Sequence, residues 1–342
     1  MKKLLWIDLI KVFSTLLIVV NHSISYSFTT LAVGSMEWKV LNFLFMISRM
    51  GLPVFIMCSG AGMLARERTI KEIWQGNIAG LLKVYIGWMA IFGIRDVLEI
   101  WINGENASLR VMVNAFLKCI LFGKYHTWFI FMLLGLYAVT PLLYAIACKK
   151  ELLRYFLVLS ILFTLICPMI SGVAWLSRIN SVIESVNMQF VVGYTLYFFS
   201  GYFICHCMEE KWEKYAELLF ILSAAAGFSI STVTSLKTGT ADQEAYMVFS
   251  VCGYLMSVSL MMLFKKYGRA ERKSVILNKA ASLQKYGIAV YLLHVLFVEM
   301  WTKEAGMINL LYALLIWLLS MGIGMAAYRL PVIKHVLFIQ KG

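Results

Sequence analysis

The chain consists of about ten apolar stretches, each long enough to cross a lipid bilayer as a helix, joined by short polar segments. Inside a bilayer every backbone N–H and C=O must be paired within the protein, and a helix pairs them within one segment. This succession therefore predicts an all-α, polytopic membrane bundle. The predicted spans lie near residues 4–28, 41–64, 76–101, 128–147, 155–175, 188–206, 216–236, 246–264, 283–301 and 308–328.

Composition excludes a soluble protein of this length. Of the 342 residues, 61% are hydrophobic and 14% are charged, whereas a soluble domain carries about a quarter of its residues as charged side chains. The residues outside the spans are too scattered to build a second domain, so we predict one integral-membrane domain over 1–342. The segment 109–122 is apolar but short, and we expect an interfacial or re-entrant helix there.

The basic residues of the chain predict its orientation. A net charge of +13 could suggest a nucleic-acid partner, but the lysines and arginines do not cluster on one tail or face. Most of them lie in every second loop, as Lys149, Lys150 and Arg154 do. Cytoplasmic loops are enriched in Lys and Arg, so we predict that both termini are cytoplasmic and that no nucleic acid is bound.

Metal and soluble-enzyme motifs give no positive signal. The seven cysteines fall mostly within or beside apolar stretches and are interpreted as small core residues. Cys205, His206 and Cys207 resemble half of a zinc site, but no second ligand pair follows, so we expect no metal. The chain also lacks a phosphate-binding loop, a paired His–Glu zinc helix and a Gly-x-Ser-x-Gly elbow.

A polar stripe runs along the first predicted span. Lys11 and His22 are eleven residues apart, about 1100° of helix rotation and about 16 Å along the axis, so they share one face. Asp8 and Thr15 lie near the same face. Lys and His near opposite ends of a span can also snorkel to the two interfaces, but alignment of the four residues favours a functional stripe facing the bundle interior.

Two further spans carry polar groups in apolar surroundings. Arg49 precedes Pro53 in the second span, where a helix irregularity would leave a polar pocket beside the cation. Tyr291 and His294, three residues apart, lie on one face of the ninth span. Arg49 paired to a carboxylate and His294 as a hydrogen-bonded core donor are the structural alternatives for these residues.

Other polar residues are less decisive. His126 and Trp128 precede the fourth span at the expected outer interface, where Trp is common. Arg95 and Glu99 in the third span are one turn apart and are interpreted as a structural ion pair.

Four motifs, taken in order, resemble the acyltransferase-3 family of bacterial integral-membrane O-acyltransferases. They are WIDLIKVFSTLLIVVNHS, with the family's basic residue, ten spacers and His; SRMGLPVFIMCSG; YHTWFIFMLLGLYAVTPLL; and YLLH. Together they extend over about residues 4–330. Lys11 stands where the family often has Arg, which keeps the positive charge. The length is similar to that of the enterobacterial-common-antigen O-acetyltransferase and its relatives.

The resemblance implies an activity and a location. The donor would be an acyl-CoA, most simply acetyl-CoA, on the cytoplasmic side of a bacterial inner membrane. The acceptor would be a hydroxyl of a cell-surface glycan or a lipid-linked saccharide, so the reaction would be a polysaccharide modification of the cell envelope.

The motifs then give roles to single residues. Acyl transfer needs a base near the acceptor hydroxyl, a cation for the donor phosphates and polar donors for the oxyanion. His22 is the expected base or acyl carrier and His294 a second catalytic candidate. Lys11 and Arg49 are expected to bind the donor, and Arg49 or His294 to face the oxyanion. The substrate-binding residues are expected to be His126, Trp128 and Tyr291.

Two other functions fit the same residues. An amino-acid (serine) transporter-like protein without covalent chemistry would also use broken helices and charges at mid-membrane, and relatives of the family are fused to serine racemases. A sensor or assembly partner in a glycan-export complex is the third interpretation. Turnover of acetyl-CoA by the purified protein would separate the first function from the other two.

Overall fold

The computed structural model describes residues 4–104, 108–171, 185–268, 274–302 and 304–339. In this part of the chain the protein is an all-α membrane bundle. Nine of its helical runs are long and apolar enough to cross a membrane. The α-helices are α1 Leu5–Thr30, α2 Met36–Ser48, α3 Gly51–Met63, α4 Ile70–Glu72, α5 Ala79–Asn103, α6 Leu109–Phe122, α7 Trp128–Ala138, α8 Thr140–Ala147, α9 Lys150–Ile161, α10 Cys167–Ser171, α11 Tyr194–Tyr202, α12 Ala216–Thr238, α13 Val251–Gly268, α14 Val275–Ser282, α15 Gly287–Trp301, α16 Ile308–Ala327 and α17 Pro331–Leu337.

Short irregular helices connect several of these elements. Turns of π-helix lie at Ile73–Ile78, Leu162–Ile166 and Phe203–Cys207. Turns of 3₁₀-helix lie at Tyr125–Thr127, Glu210–Tyr215, Glu244–Tyr246 and Leu283–Tyr286. π-turns are rare and often occur near functional sites.

The nine runs correspond to nine of the ten spans that the sequence predicts. The tenth, expected over 188–206, is present as α11 continued by the π-turn Phe203–Cys207, which is shorter than the about 20 residues needed to cross a bilayer. Residues 172–175 of the predicted fifth span lie outside the described residues, as does the basic segment 269–273. The cytoplasmic position of both termini stays a prediction.

Helix α1 lies at the centre of the bundle. It contacts α2, α3, α13, α14, α15 and α16, so its side chains are surrounded by helices from both halves of the chain. A Cβ atom on Gly51 of α3 would come within 2.9 Å of Ser14 O and Leu17 Cβ of α1. Only glycine lets these two backbones approach so closely.

The closest helix contact in the centre joins α3 and α11. A Cβ on Gly60 would lie 1.9 Å from Phe198 O, and a Cβ on Gly201 would lie 1.9 Å from Met57 O. Small residues that allow such backbone contact are a common means of helix association in membranes. This reciprocal pair therefore locks α11 against α3 without any side chain between them.

The second predicted span is interrupted at Arg49. Helix α2 ends at Ser48 and α3 begins at Gly51, so the arginine lies at the junction. Pro53 is the third residue of α3, in the first turn, where proline costs no backbone hydrogen bond. The helix irregularity expected in this span is present, and it lies at residues 49–50, before Pro53.

The short helix expected at 109–122 is present as α6, and α7 begins at Trp128, where the fourth span was predicted to begin. The predicted span 128–147 consists of α7 and α8, which are separated at Val139. The apolar run that is long enough to cross a membrane joins α6 to α7 and extends over Leu109–Ala138. Helix α6 packs along α5: Gly93 leaves room for Phe116, and Cys119 Sγ donates to Met89 O at 3.4 Å.

Ion pairs tie the ends of α5 to its neighbours. Arg95 lies 3.9 Å from Glu99, as the spacing predicts, and 3.2 Å from Glu299 of α15. Lys124, just after α6, lies 2.6 Å from Asp96. These groups are partly exposed, so each pair contributes at most about 1 kcal/mol. Their role is to fix α5, α6 and α15 relative to one another.

Candidate active site

Three histidines from distant parts of the chain meet inside the bundle. His22 comes from α1, His126 from the 3₁₀-turn Tyr125–Thr127 and His294 from α15. The ring centroids of His22 and His294 are 5.2 Å apart, and those of His126 and His294 are 6.0 Å apart. His126 is 2% exposed and His294 is fully buried, whereas His22 is partly exposed. We call these three residues the histidine cluster.

Tyr291 holds one side of the histidine cluster. Its hydroxyl donates to the backbone oxygen of His126, and its ring lies 5.8 Å from that of His126 and 6.2 Å from that of His294. Tyr291 and His294 occupy one face of α15, as their spacing predicts. The tyrosine therefore anchors the 3₁₀-turn to α15 and sets the position of His126.

The tautomer of His294 follows from its backbone contact. Its Nδ1 lies 3.0 Å from the carbonyl oxygen of Val290, and a carbonyl can only accept, so Nδ1 carries the proton. In the neutral ring Nε2 is then a proton acceptor. This Nε2 is buried and has no hydrogen-bond partner among the described residues.

Both ring nitrogens of His126 are also buried without a partner in the described part of the chain. Buried polar atoms in proteins are almost always hydrogen-bonded, so each exception requires a reason. Here the two rings that carry these nitrogens lie 6.0 Å apart, and the ring of His22 lies 5.2 Å from that of His294. The arrangement suits a small polar group, such as a hydroxyl, entering between the rings.

Arg49 lies close to the histidine cluster, at the α2–α3 junction. Its guanidinium donates to Gln243 Oε1 and lies 4.6 Å from the ring centroid of Phe45, a cation–π contact. Its Nε is buried and has no partner among the residues that the structure describes. Gln243 lies in a loop, just before the 3₁₀-turn Glu244–Tyr246. Its hydrogen bond therefore orients the guanidinium of Arg49.

A side-chain contact connects His22 with Arg49. Asn21 Nδ2 donates to Ser48 Oγ at 2.9 Å, and Ser48 Oγ donates to Phe45 O at 2.6 Å. Asn21 and Ser48 are the residues just before His22 and Arg49. The two candidate residues therefore stand on neighbouring, mutually attached parts of α1 and the α2–α3 junction.

The polar stripe of α1 divides into two environments. His22 enters the histidine cluster, whereas Lys11 lies within electrostatic reach of Cys58 and Cys205. Thr15 accepts from Trp317 Nε1 at 3.0 Å and donates to Val12 O at 2.7 Å, so it has a structural role. The two cations expected to bind the donor, Lys11 and Arg49, therefore lie in different surroundings, and Arg49 shares those of His22.

Trp128 lies outside the histidine cluster. Its side chain is 45% exposed, and its ring packs against Tyr194 at 5.7 Å. The next residue, Phe129, turns inward and contacts Tyr291 at 5.4 Å. The motif therefore contributes His126 to the buried histidine cluster and Trp128 to an exposed aromatic surface.

Sequence reasoning missed two residues of this region. Gln243 gives no signal, because a glutamine in a polar loop is unremarkable until its contact with Arg49 is known. Tyr125 precedes His126 in the quoted motif but was given no role there, and its ring lies 6.0 Å from that of His22.

Within the described residues, no group of three or more His, Cys, Asp or Glu side chains is arranged to hold a metal ion.

Comparison with known proteins identifies one family. The profile of the acyltransferase-3 family, described as an acyltransferase domain, matches residues 4–329. The match includes α1 with Lys11 and His22, the α2–α3 junction with Arg49, and α15 with Tyr291 and His294. No curated protein and no solved structure matches the chain.

Proposed function

The chain belongs to the acyltransferase-3 family, and on that premise we propose that it is a membrane-bound O-acyltransferase. It moves an acyl group, most simply acetyl, from acyl-CoA to a hydroxyl of a cell-surface glycan or a lipid-linked saccharide. The observation that carries this proposal is the histidine cluster: a partly exposed imidazole, His22, backed by buried imidazole nitrogens of His126 and His294 that have no partner among the described residues.

In the proposed reaction His22 takes the proton of the acceptor hydroxyl. The hydroxyl oxygen attacks the thioester carbonyl, and a tetrahedral oxyanion forms. When it collapses, the C–O bond is retained, the C–S bond breaks, and the proton passes from His22 to the departing CoA thiolate. The charge and atoms balance without a further reactant. General base catalysis of this kind contributes about 10²–10⁴-fold in rate.

A covalent route uses the same residues. His22 attacks the thioester first, releases CoA and carries the acyl group as acyl-imidazole until the acceptor hydroxyl takes it. The route that does not form acyl-histidine requires donor and acceptor to be bound together. An acyl group trapped on His22 after addition of the donor alone would therefore separate the two routes.

The surroundings of the two cations support different parts of donor binding. Lys11 lies about 16 Å from His22 along α1, toward the predicted cytoplasmic end, and there it binds the phosphates of acyl-CoA. Arg49 stands beside His22 through Asn21 and Ser48, and there it faces the thioester carbonyl and its oxyanion. A buried cation aimed at developing negative charge is an effective form of transition-state stabilisation.

His294 and the substrate-binding residues complete the proposed site. His294 Nε2 accepts a hydrogen bond from the acceptor beside His22. His126 binds the acceptor beside it, and Tyr291 keeps His126 in place. This scheme places the reaction in a bacterial inner membrane, with the donor entering from the cytoplasm and the acceptor from the outer half.

The interruption at Arg49 favours one alternative, an amino-acid transporter-like protein. Transporters often bind carboxylates at broken helices near mid-membrane, and Arg49 at the α2–α3 junction would suit one. Serine uptake into proteoliposomes with no release of CoA from acetyl-CoA would favour that function.

The decisive experiment compares surface glycans and purified protein. Mass spectrometry of glycans from cells with and without the gene should reveal an ester mass difference that names the acyl group and the acceptor. The purified protein in nanodiscs should release CoA from acetyl-CoA when that acceptor is added. His335→Ala, on the exposed side of α17, serves as the matched histidine control. No ester difference and no CoA release would reject the proposal.

A further inference from the structure

The loop between α12 and α13 is attached on both sides of Gln243, the residue that accepts a hydrogen bond from Arg49. Before Gln243, the N–H of Asp242 donates to Ser235 Oγ at 2.8 Å, and its carbonyl oxygen accepts from Ser231 Oγ at 2.6 Å. Ser231 and Ser235 are one turn apart on α12 and are fully buried. The backbone just before Gln243 is therefore fixed to α12.

After Gln243, the loop is attached to α2 through Asn42. The hydroxyl of Tyr246 donates to Asn42 Oδ1 at 2.7 Å, and both side chains are fully buried. Asn42 Nδ2 donates in turn to Thr232 Oγ1 at 3.2 Å, and Asn42 Oδ1 lies 3.2 Å from Ser231 Oγ. One buried amide therefore joins α2, α12 and the loop.

The same face of α2 leads from Asn42 to Arg49. Asn42, Phe45 and Arg49 are spaced by three and four residues, which places them on one side of the helix and its C-cap. The ring centroid of Phe45 lies 6.5 Å from that of Tyr246 and 4.6 Å from the guanidinium carbon of Arg49. The guanidinium contacts both Phe45 and Gln243, and Tyr246 packs against the first and follows the second by three residues.

A buried asparagine specifies a position in a way that apolar packing does not. A buried polar group costs free energy unless it is hydrogen-bonded, and an apolar side chain of similar size packs in a membrane bundle without that cost. A satisfied polar network, in return, selects one arrangement of the elements that it joins. Here the selected arrangement is that of the loop, and with it the place of Gln243. A displacement of about 1 Å at a catalytic group can lower a rate about 10²-fold.

We propose that Asn42 is a positioning residue for Arg49. Asn42 holds the loop through Tyr246, the loop holds Gln243, and Gln243 orients the guanidinium toward the thioester carbonyl. Asn42 acts without touching donor or acceptor. The proposal rests on the function proposed above, because the direction of the cation affects a rate only if an oxyanion forms beside it.

Two variants break the attachment at different points. Asn42→Ala removes the amide, whereas Tyr246→Phe removes one hydroxyl and keeps the ring, so it tests the same contact with less risk to folding. Asn309→Ala is the matched control. Asn309 is likewise fully buried and joins a different loop to α1, because its Nδ2 donates to Ser27 Oγ at 2.7 Å and to Glu304 O at 2.9 Å.

Hydrogen–deuterium exchange measures the attachment of the loop without any turnover. In purified full-length protein in nanodiscs, Asn42→Ala and Tyr246→Phe should exchange backbone amides over residues 240–250 about five- to tenfold faster than the wild type, as expected for loss of one buried hydrogen bond. Asn309→Ala should exchange there at the wild-type rate. Exchange over 240–250 that is equal in the wild type and in both loop variants overturns the proposal.

Kinetics with acetyl-CoA show whether the attachment acts through Arg49. Asn42→Ala and Tyr246→Phe should each lower kcat about five- to tenfold and leave the KM for acetyl-CoA unchanged. In the Arg49→Ala background, Asn42→Ala should lower kcat no further. Asn309→Ala should lower the melting temperature and keep kcat per CoA-binding site, and Asn42→Ala would do the same if its role were only to stabilise the fold.

The two measurements separate this proposal from the general function. A looser loop with unchanged kcat, or a further loss of kcat in the Arg49→Ala background, would reject the positioning role and keep the acyltransferase. A looser loop in a protein without any acyl transfer would reject the proposed function and keep Asn42 as the residue that holds the loop bound to Arg49.

Discussion

Asn21 donates a hydrogen bond of 2.9 Å to Ser48, and by this contact the residue before His22 is attached to the residue before Arg49. The two candidate residues are 27 positions apart in sequence but stand on adjoining backbone. A base and a cation must keep a fixed separation if one is to remove a proton while the other stabilises the oxyanion. The Asn21–Ser48 contact provides that constraint without using either functional group.

Replacement of His22 should remove nearly all acyl transfer. The His22→Ala variant should lose at least about 10²-fold in turnover, because the proton acceptor is gone, while CoA binding and expression stay close to wild type. His22→Gln should not restore activity, since an amide cannot take the proton. CoA release from acetyl-CoA measures the effect. Retention of more than about a tenth of wild-type turnover would transfer the role to His294.

Lys11 and Arg49 should affect different constants. Lys11→Ala should weaken CoA binding, because a phosphate contact is lost, and should leave kcat less affected. Arg49→Ala should lower kcat by about 10²-fold, as loss of an oxyanion donor does elsewhere, with a smaller change in CoA affinity. Isothermal calorimetry with CoA and steady-state kinetics measure the two effects. Unchanged CoA affinity in Lys11→Ala would reject its role.

Gln243 should act through Arg49. The Gln243→Ala variant removes an acceptor from a partly buried guanidinium, a contact with a charged group worth about 1.5–3 kcal/mol, so kcat should fall about tenfold. Gln243→Glu keeps an acceptor but neutralises the cation and should also lower kcat. Thr240→Ala, in the same outer loop, should behave as wild type. If Arg49→Ala and the double variant Arg49→Ala/Gln243→Ala differ in kcat, Gln243 acts independently of Arg49.

Gly60 should tolerate no side chain. Its Cβ would lie 1.9 Å from Phe198 O, and a backbone atom cannot move aside as a flexible side chain can. Gly60→Ala should destabilise the protein by about 1–3 kcal/mol and lower its melting temperature in detergent. Gly62→Ala is the control on the same helix, because its Cβ would meet nothing within 4 Å. Equal melting temperatures for the two variants would contradict the close α3–α11 contact.

The predicted topology can be tested with two exposed lysines. On a cysteine-free background, Lys279→Cys in α14 should resist a membrane-impermeant maleimide in intact cells, because the basic segment 269–279 is expected inside. Lys237→Cys, in the last turn of α12 on the expected outer side, should be labelled. Labelling of residue 279 in intact cells would show that the chain has the opposite orientation, and the donor would then have to enter from the other end of the bundle.

The sequence predicted the helical character of the bundle because hydropathy and span length are properties of single segments. It also placed Tyr291 and His294 on one face of a helix, since residues on one helix follow its period. The contact between His22, His126 and His294 could not be predicted from the sequence, because it depends on how three separate elements pack. The same limit applies to Gln243, whose only distinguishing property is its contact with Arg49.

The helix boundaries around α6 and α11 show what hydropathy cannot predict. Hydropathy reports how apolar a segment is, but it does not report whether lipid or protein surrounds it. Helices α6 and α7, joined through Gly123 with φ +69°, together form one apolar run long enough to cross a membrane. Helix α11 packs closely on α3 through Gly60 and Gly201, and with its π-turn it is shorter than a full span.

The three members of the histidine cluster leave the ribosome at very different times. His22 belongs to the first helix inserted, His126 follows three helical runs later, and His294 arrives only with the last pair of long helices. A nascent chain therefore holds His22 in the membrane long before the rings that surround it exist. Whatever chemistry the cluster performs begins only when synthesis is nearly complete, and a chain truncated before α15 inserts as a membrane protein without a working centre.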